Sequence, residues 1–138
     1  MAATGEMTSK QIDEILAKKP LKRYAYTIRT LLEEEELWGL FDGEGWLLMD
    51  VDADAETSAF VLFPHEAFAE IFRNQAGYED YAVTSLDLHE FMEWLEDFEQ
   101  ENILVAVFPT PDLEATVVSA AKLKAELLEA FEKEEDNE

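Results

Sequence analysis

The chain has 138 residues, 48% of them hydrophobic and including nine Phe, four Tyr and three Trp, enough for one real core and a poor fit to two. With no Cys and only two His, it excludes structural disulfides, thiolate catalysis and Cys-ligated metal centres, so neither a cofactor nor a set of metal ligands is assigned. Its formal charge of −23, from 10 basic and 33 acidic residues, repels nucleic acid phosphate and anionic lipid and favours cations or a basic protein partner. The charge is unevenly placed. Residues 1–29 carry a balance of +3, Thr30 to Ala121 a balance of −22 with Arg73 as the only basic residue, and the rest −4. No apolar run approaches the roughly 18 residues that cross a bilayer, and the first fifteen residues lack the basic-then-apolar order of a signal peptide, so a cytoplasmic protein without membrane association is expected.

In chain order, residues 1–7 read as an N-terminal tail, 8–131 as a single domain and 132–138 as an acidic C-terminal tail. Thr8 and Gln11 form a capping box ahead of Ile12, Ile15 and Leu16, predicting a short helix to about Lys18. Pro20 suits a helix's first turn, and Leu21, Tyr24, Ile28, Leu31 and Leu32 keep the 3.6-residue rhythm of a second helix to about Glu35. The period then changes. Leu37–Phe41 and Trp46–Val51 are short apolar runs around Asp42-Gly43-Glu44-Gly45, a hairpin turn with at least one residue at positive φ, and Ala59–Phe63 completes a three-stranded meander. Pro64 opens a helix with Phe68, Ile71 and Phe72 on one face, ended by Gly77. A fourth strand is expected at Asp80–Val83, with Thr84 or Ser85 capping a helix over 85–101 whose stripe is Leu88, Phe91, Met92, Leu95 and Phe98. Ile103–Phe108 is a candidate for the sheet centre, a last strand falls near Thr116–Val118, and Ser119 caps a closing helix with Leu123, Leu127, Leu128 and Phe131 inward. The expected fold class is α+β: a mostly antiparallel five- or six-stranded sheet with about five helices on one side, a parallel pair beside the 85–101 helix remaining open.

Few of the chemical motifs are specific. Asp50, Asp52, Asp54 and Glu56 imitate the opening of an EF-hand loop, which then fails at the sixth position, Ala55 instead of Gly, and at the twelfth, Val61 instead of Glu. His65 follows Pro64 without a local Ser or Cys to activate, and His89 faces Glu93 at i,i+4; both suit ordinary structural or surface roles, His65 being kept as a polar candidate with Arg23. Glu33 to Glu36 and the acids over 87–101 offer paired carboxylates, but 33 acids make every such pair eligible. Lys18, Lys19, Lys22, Arg23 and Arg29 form a basic group that either docks on the protein's own acidic sheet or on a second copy.

Several segments in order resemble a bacterial family catalogued as domain of unknown function 2750. They are Arg23-Tyr24, Leu37-Trp38-Gly39-Leu40 with Gly45-Trp46, Phe63-Pro64-His65 with Phe68-Ala69, Leu88 through Trp94-Leu95, and Val105–Pro109. Together they span about residues 10–131. Members typically have Trp where this chain has Phe63. The resemblance implies a domain boundary and no activity.

The functional expectation is a small, non-enzymatic protein-binding or regulatory domain with a locally basic partner. Its contact surface is placed at the hairpin rim, Trp38, Asp42, Glu44 and Trp46, because a projecting turn there joins aromatic area to steering carboxylates. Strand alternation leaves both Trp side chains free to point inward or outward. A carboxylate- or divalent-metal-dependent hydrolase and a nucleic-acid-mimicking inhibitor of a basic protein are the alternatives. Direct nucleic-acid binding is not expected.

Overall fold

A computed structural model of the chain describes residues 8–50, 57–111 and 114–136. Its elements are α1 (Ser9–Leu16), α2 (Pro20–Glu34), β1 (Glu36–Phe41), β2 (Leu48–Asp50), β3 (Ser58–Leu62), α3 (Glu66–Ala76), β4 (Ala82–Asp87), α4 (Leu88–Glu101), β5 (Ile103–Val107), β6 (Thr116–Ser119) and α5 (Ala120–Asp136). The fold is α+β, with six strands in two sheets packed against five helices.

Local chemistry sets most boundaries. The Thr8 hydroxyl accepts from the Gln11 N–H at 3.1 Å while the Gln11 side chain accepts from the Thr8 N–H at 3.0 Å, closing the capping box. Pro20 occupies the first turn of α2, where a missing N–H costs nothing. Gly77 ends α3 at φ +89, a left-handed conformation that residues with a side chain rarely adopt. The Ser119 hydroxyl accepts from the Lys122 N–H at 3.1 Å and starts α5.

The strands depart from the expected meander. β2, β3, β5 and β6 form one sheet in that order, and β1 leaves to pair antiparallel with β4, Trp38 opposite Ser85. The sheets meet where Trp38 and Phe63 exchange both backbone hydrogen bonds, at 3.0 and 2.8 Å, and where the Leu47 N–H reaches the Leu40 carbonyl at 2.8 Å. β1 thus stays bridged to the meander although its ladder lies elsewhere. The β3–β5 pair is parallel and the other ladders are antiparallel. In β3, Ala59, Phe60, Val61 and Leu62 are all buried, as are Val105, Ala106 and Val107 of β5. Successive residues point to opposite faces, so both faces of these central strands are covered and helices on one side do not describe the fold.

Other boundaries move for identifiable reasons. β4 runs through Thr84 and Ser85, since β1 offers each a ladder partner, and Asp87 caps α4 instead, its carboxylate accepting from the Glu90 N–H at 3.1 Å. Helix α3 begins at Glu66 with His65 as its N-cap, two residues after the expected start at Pro64. Strand β2 is shorter than its apolar run, Trp46 making only an isolated bridge to Phe41. In α5, Leu123 and Leu127 are buried, but Leu128 is 46% exposed because it lies one residue beyond the inward face.

Helix α2 keeps Tyr24, Ile28 and Leu31 of its apolar stripe against the core but adds polar residues to its inward face. Its buried residues are Arg23, Thr27, Thr30 and Leu31, whereas Leu21 of the apolar stripe is 74% exposed. The threonine hydroxyls donate to the carbonyls of Arg23 and Tyr26, both at 2.8 Å, so they enter the interior satisfied. Arg23, 1% exposed, donates to the carbonyls of Lys18, Phe108 and Glu114, and its guanidinium lies 5.7 Å from the centre of the Phe108 ring. Phe108 itself stands at φ +53, a costly conformation for a bulky residue. Its N–H donates to the Leu62 carbonyl at 2.8 Å and its ring packs on Phe68 with centroids 4.6 Å apart, contacts that together with Arg23 hold the strained residue in place.

Candidate functional site

Along α4, Trp94, Asp97, Phe98 and Glu101 stand at i, i+3, i+4 and i+7, which puts them on one flank of the helix. The opposite wall comes from the hairpin. Register aligns Leu48 of β2 with Phe60 of β3 and Phe60 with Val105 of β5, giving one sheet face. Helix α4 covers Phe60 through Phe91 and Phe98, both with ring centroids 5.5 Å away, yet leaves Leu48 of edge strand β2 41% exposed. Between helix and sheet edge lies a groove of about 500 Å³ with Trp46, Leu48, Trp94 and Phe98 in its lining and Asp97 and Glu101 beside them.

Trp46 is the keystone of this groove. Its ring sits 5.1 Å from Phe41, 5.8 Å from Phe60 and 5.8 Å from Trp94, the last at 66° in an edge-on arrangement. It rests on Gly39, where a Cβ would lie only 3.1 Å from two carbons of the indole. Since Gly39 presents this side of β1 to Trp46, strand alternation sends Trp38 to the other. Trp38 and Trp46 are both half-buried and packed against the core, and the structure does not bring them together.

The turn between them is built by Asp42. Its Oδ1 accepts from the N–H groups of Glu44 and Gly45, both at 2.9 Å, and these two donors hold its carboxyl below the usual aspartate range. Gly43 supplies the expected positive φ, +97. Asp42 is therefore an internal acceptor that shapes the turn, while Glu44 is exposed next to Gly45 at the groove.

The remaining candidates lie elsewhere. Arg23 is committed to backbone carbonyls inside the fold, with the Glu114 carboxylate 4.0 Å from its guanidinium, and burial lowers its pKa. Of the basic group at the α1–α2 junction and along α2, Arg23 alone has an ion-pair partner among the described residues; Lys18, Lys19, Lys22 and Arg29 form no ion pair there. His65 lies between Tyr26 and Phe68, with centroids 6.3 and 6.1 Å away, and burial lowers its pKa against the opposing pull of Glu34. It has no hydrogen-bonded carboxylate among the described residues. His89 pairs not with Glu93 but with Glu35, at 3.0 Å, and this hydrogen bond raises its pKa. Asp52, Asp54 and Glu56 lie outside the described residues, but Val61, the would-be twelfth ligand, is fully buried in β3. Among the described residues no group of three or more His, Asp or Glu is placed to hold a metal ion, and no helix is long and apolar enough to cross a membrane.

Two further concavities occur. One, of about 530 Å³, runs between α2 and α5 with Tyr24, Ile28 and Glu126 in its lining; the Tyr24 hydroxyl donates to Glu126 there, and burial with that contact raises its pKa. The other, of about 520 Å³, lies at the α1–α2 junction around Lys18, Lys19 and Arg23. Of these three, the α4 groove alone combines several aromatic rings with carboxylates that have no ion-pair partner among the described residues. Its Trp94, Asp97, Phe98 and Glu101 were absent from the surface expected at the hairpin, although their helical spacing was open to view.

Fold and groove together define an acidic α+β domain with an aromatic cleft at one sheet edge. Residues 24–127 match the model of the family described as "Protein of unknown function (DUF2750)", and the chain belongs to that family. No curated protein and no solved structure matches it.

Proposed function

We propose that this domain is a cytosolic, non-catalytic protein-binding module whose partner is locally basic, with the groove between β2 and α4 as its contact surface. The observation that carries this is the conjunction of Trp46, Trp94, Phe98 and exposed Leu48 with the carboxylates of Asp97 and Glu101, which form no ion pair among the described residues. Aromatic area that water can leave supplies affinity; carboxylates around it steer and orient a cationic partner. Glu44 and Trp46 give the hairpin its share of the contact, and Asp42 fixes the turn that presents them. The charge of −23 extends the attraction beyond the groove and makes it sensitive to salt.

The test uses the full chain as bait in its own cell lysate at low and then moderate salt. One stoichiometric basic protein should be retained by the wild type and by Leu21→Glu, a control on exposed α2, and lost from Trp94→Ala and Asp97→Lys with circular dichroism unchanged. Reproducible absence of an enriched partner, or retention indifferent to both groove variants, would overturn the proposal.

A further inference from the structure

We infer that the groove is a receptor for an arginine side chain of that partner, a step that rests on the binding function just proposed. Three features converge. The first is the end of α4: its last turn carries Glu99 and Glu101 and no basic residue, and Asp97 immediately precedes it. A helix C-terminus concentrates partial negative charge on its unpaired carbonyls, so cations are favoured there and carboxylates opposed. Here the carboxylates add to the unfavourable end of the helix, and the nearest compensation on the same helix, Lys124 on Glu96 at 2.7 Å, does not involve Asp97 or Glu101.

The second feature is the lining. Trp46 and Trp94 meet edge-on, at 66°, so their contact takes up at most one of the indole faces instead of the two that stacking would cover. Both are half-buried, leaving indole surface toward the groove, and exposed Leu48 extends the apolar strip. A long cationic side chain is amphipathic in the same sense, with an apolar stem and a charged head. Laid along the groove, its stem covers Leu48 and the indoles while its head reaches Asp97 and Glu101.

The third feature is geometric. Asp97 and Glu101 are four residues apart on one helix face, so two carboxylates stand side by side above the aromatic strip. A planar guanidinium stacks on indole and offers several donors in a fixed fork, whereas an ammonium is a compact, strongly hydrated point charge. The arrangement favours arginine over lysine, and either over a neutral side chain.

The experiment titrates the full chain with a glycine- and serine-flanked peptide holding one arginine, and with matched peptides in which citrulline or lysine replaces it, each to about 10 mM. The readout is the set of three indole N–H resonances, assigned with single Trp→Phe variants. The arginine peptide should move Trp46 and Trp94 and leave Trp38 in place, with citrulline at least about fivefold weaker. Asp97→Asn with Glu101→Gln should weaken arginine binding about tenfold, whereas Glu90→Gln with Glu93→Gln, the same charge change outside the groove, should have little effect. Equal response to citrulline, equal weakening by both double variants, no shift of Trp46 and Trp94, or a shift of Trp38 as large as theirs overturns the inference. A lysate partner that still depends on Trp94 and Asp97 would then leave the binding function standing. An arginine-specific shift without any retained partner would instead remove that function and keep the receptor.

Discussion

Helices α2 and α4 both lie on the sheets, and they handle charge in opposite ways. On α2 the most buried residues are Arg23, Thr27, Thr30 and Leu31, and Arg23 is taken into the interior with three carbonyls as acceptors. On α4 the buried residues are Leu88, Phe91 and Leu95, and the charges remain outside, with Asp97 and Glu101 in no ion pair among the described residues. The contrast separates charge used to build the fold from charge left over for something else. Removing the first kind should damage stability, and removing the second should improve it.

The largest expected effect follows from Arg23→Met. It keeps much of the side-chain volume but leaves the carbonyls of Lys18, Phe108 and Glu114 without their donor and frees the strained Phe108, so urea unfolding should show a loss of about 3 kcal/mol. An unchanged unfolding midpoint would make Arg23 a surface group in effect and dissolve the contrast. Next is Gly39→Val, which drives a branched side chain into the Trp46 ring and should cost about 1–3 kcal/mol while abolishing groove binding, read by unfolding and by the indole spectrum. Smaller, and opposite in sign, is the change from Asp97→Asn with Glu101→Gln: relief of repulsion at the end of α4 should raise the thermal midpoint by about 2–4 °C as binding falls. A lowered midpoint would mean that those carboxylates support the fold.

The smallest effect concerns the two histidines, which carry the same contrast on single side chains. His65 is half-buried with its pKa lowered, so the unfolded chain takes up a proton near pH 6.5 that the native state resists, and its contribution falls as pH drops below that value. His89 is exposed and paired with Glu35, its pKa raised; its contribution is present below pH 6.5 and is lost as pH rises through the raised value. Proton NMR should find two titration midpoints on either side of 6.5, and His89→Gln should make stability fall more steeply on acidification. Coincident midpoints would defeat the assignment.

Signals confined to neighbouring residues were legible in the sequence. The Thr8–Gln11 box, Pro20, the positive-φ turn at Gly43 and the Gly77 stop depend on chemistry within a few positions, and each is where it was expected. What depends on distant partners was not. The end of β4 is decided by β1, more than 40 residues earlier in the register, so Thr84 and Ser85 looked like caps although a ladder claims them. The inward face of α2 was read only in part, because Arg23 becomes interior only when the carbonyls of Phe108 and Glu114 come to meet it. The candidate site was half legible. Trp46 and the acidic turn stood out, but the joining of Trp46 to Trp94 needs α4 laid on the Phe60 face, and no local pattern states that.

The strand pairings also constrain how the chain acquires its structure in time. β1 must wait for β4, and β3 must wait for β5, so the segment closed by the first ladder overlaps the segment closed by the second. Neither loop nests inside the other. No cut between residues 62 and 82 leaves either ladder on one fragment, and neither sheet can be completed as an early, autonomous hairpin. Such interlocked, non-local closure carries its entropic cost before its contacts form, which places the barrier late and slows folding relative to a helical bundle of this length. Emerging from the ribosome, the polypeptide must keep β3 unpaired along its parallel edge until Val107 is available, and the acidity of the intervening segment is well suited to keeping that waiting chain from meeting another copy of itself.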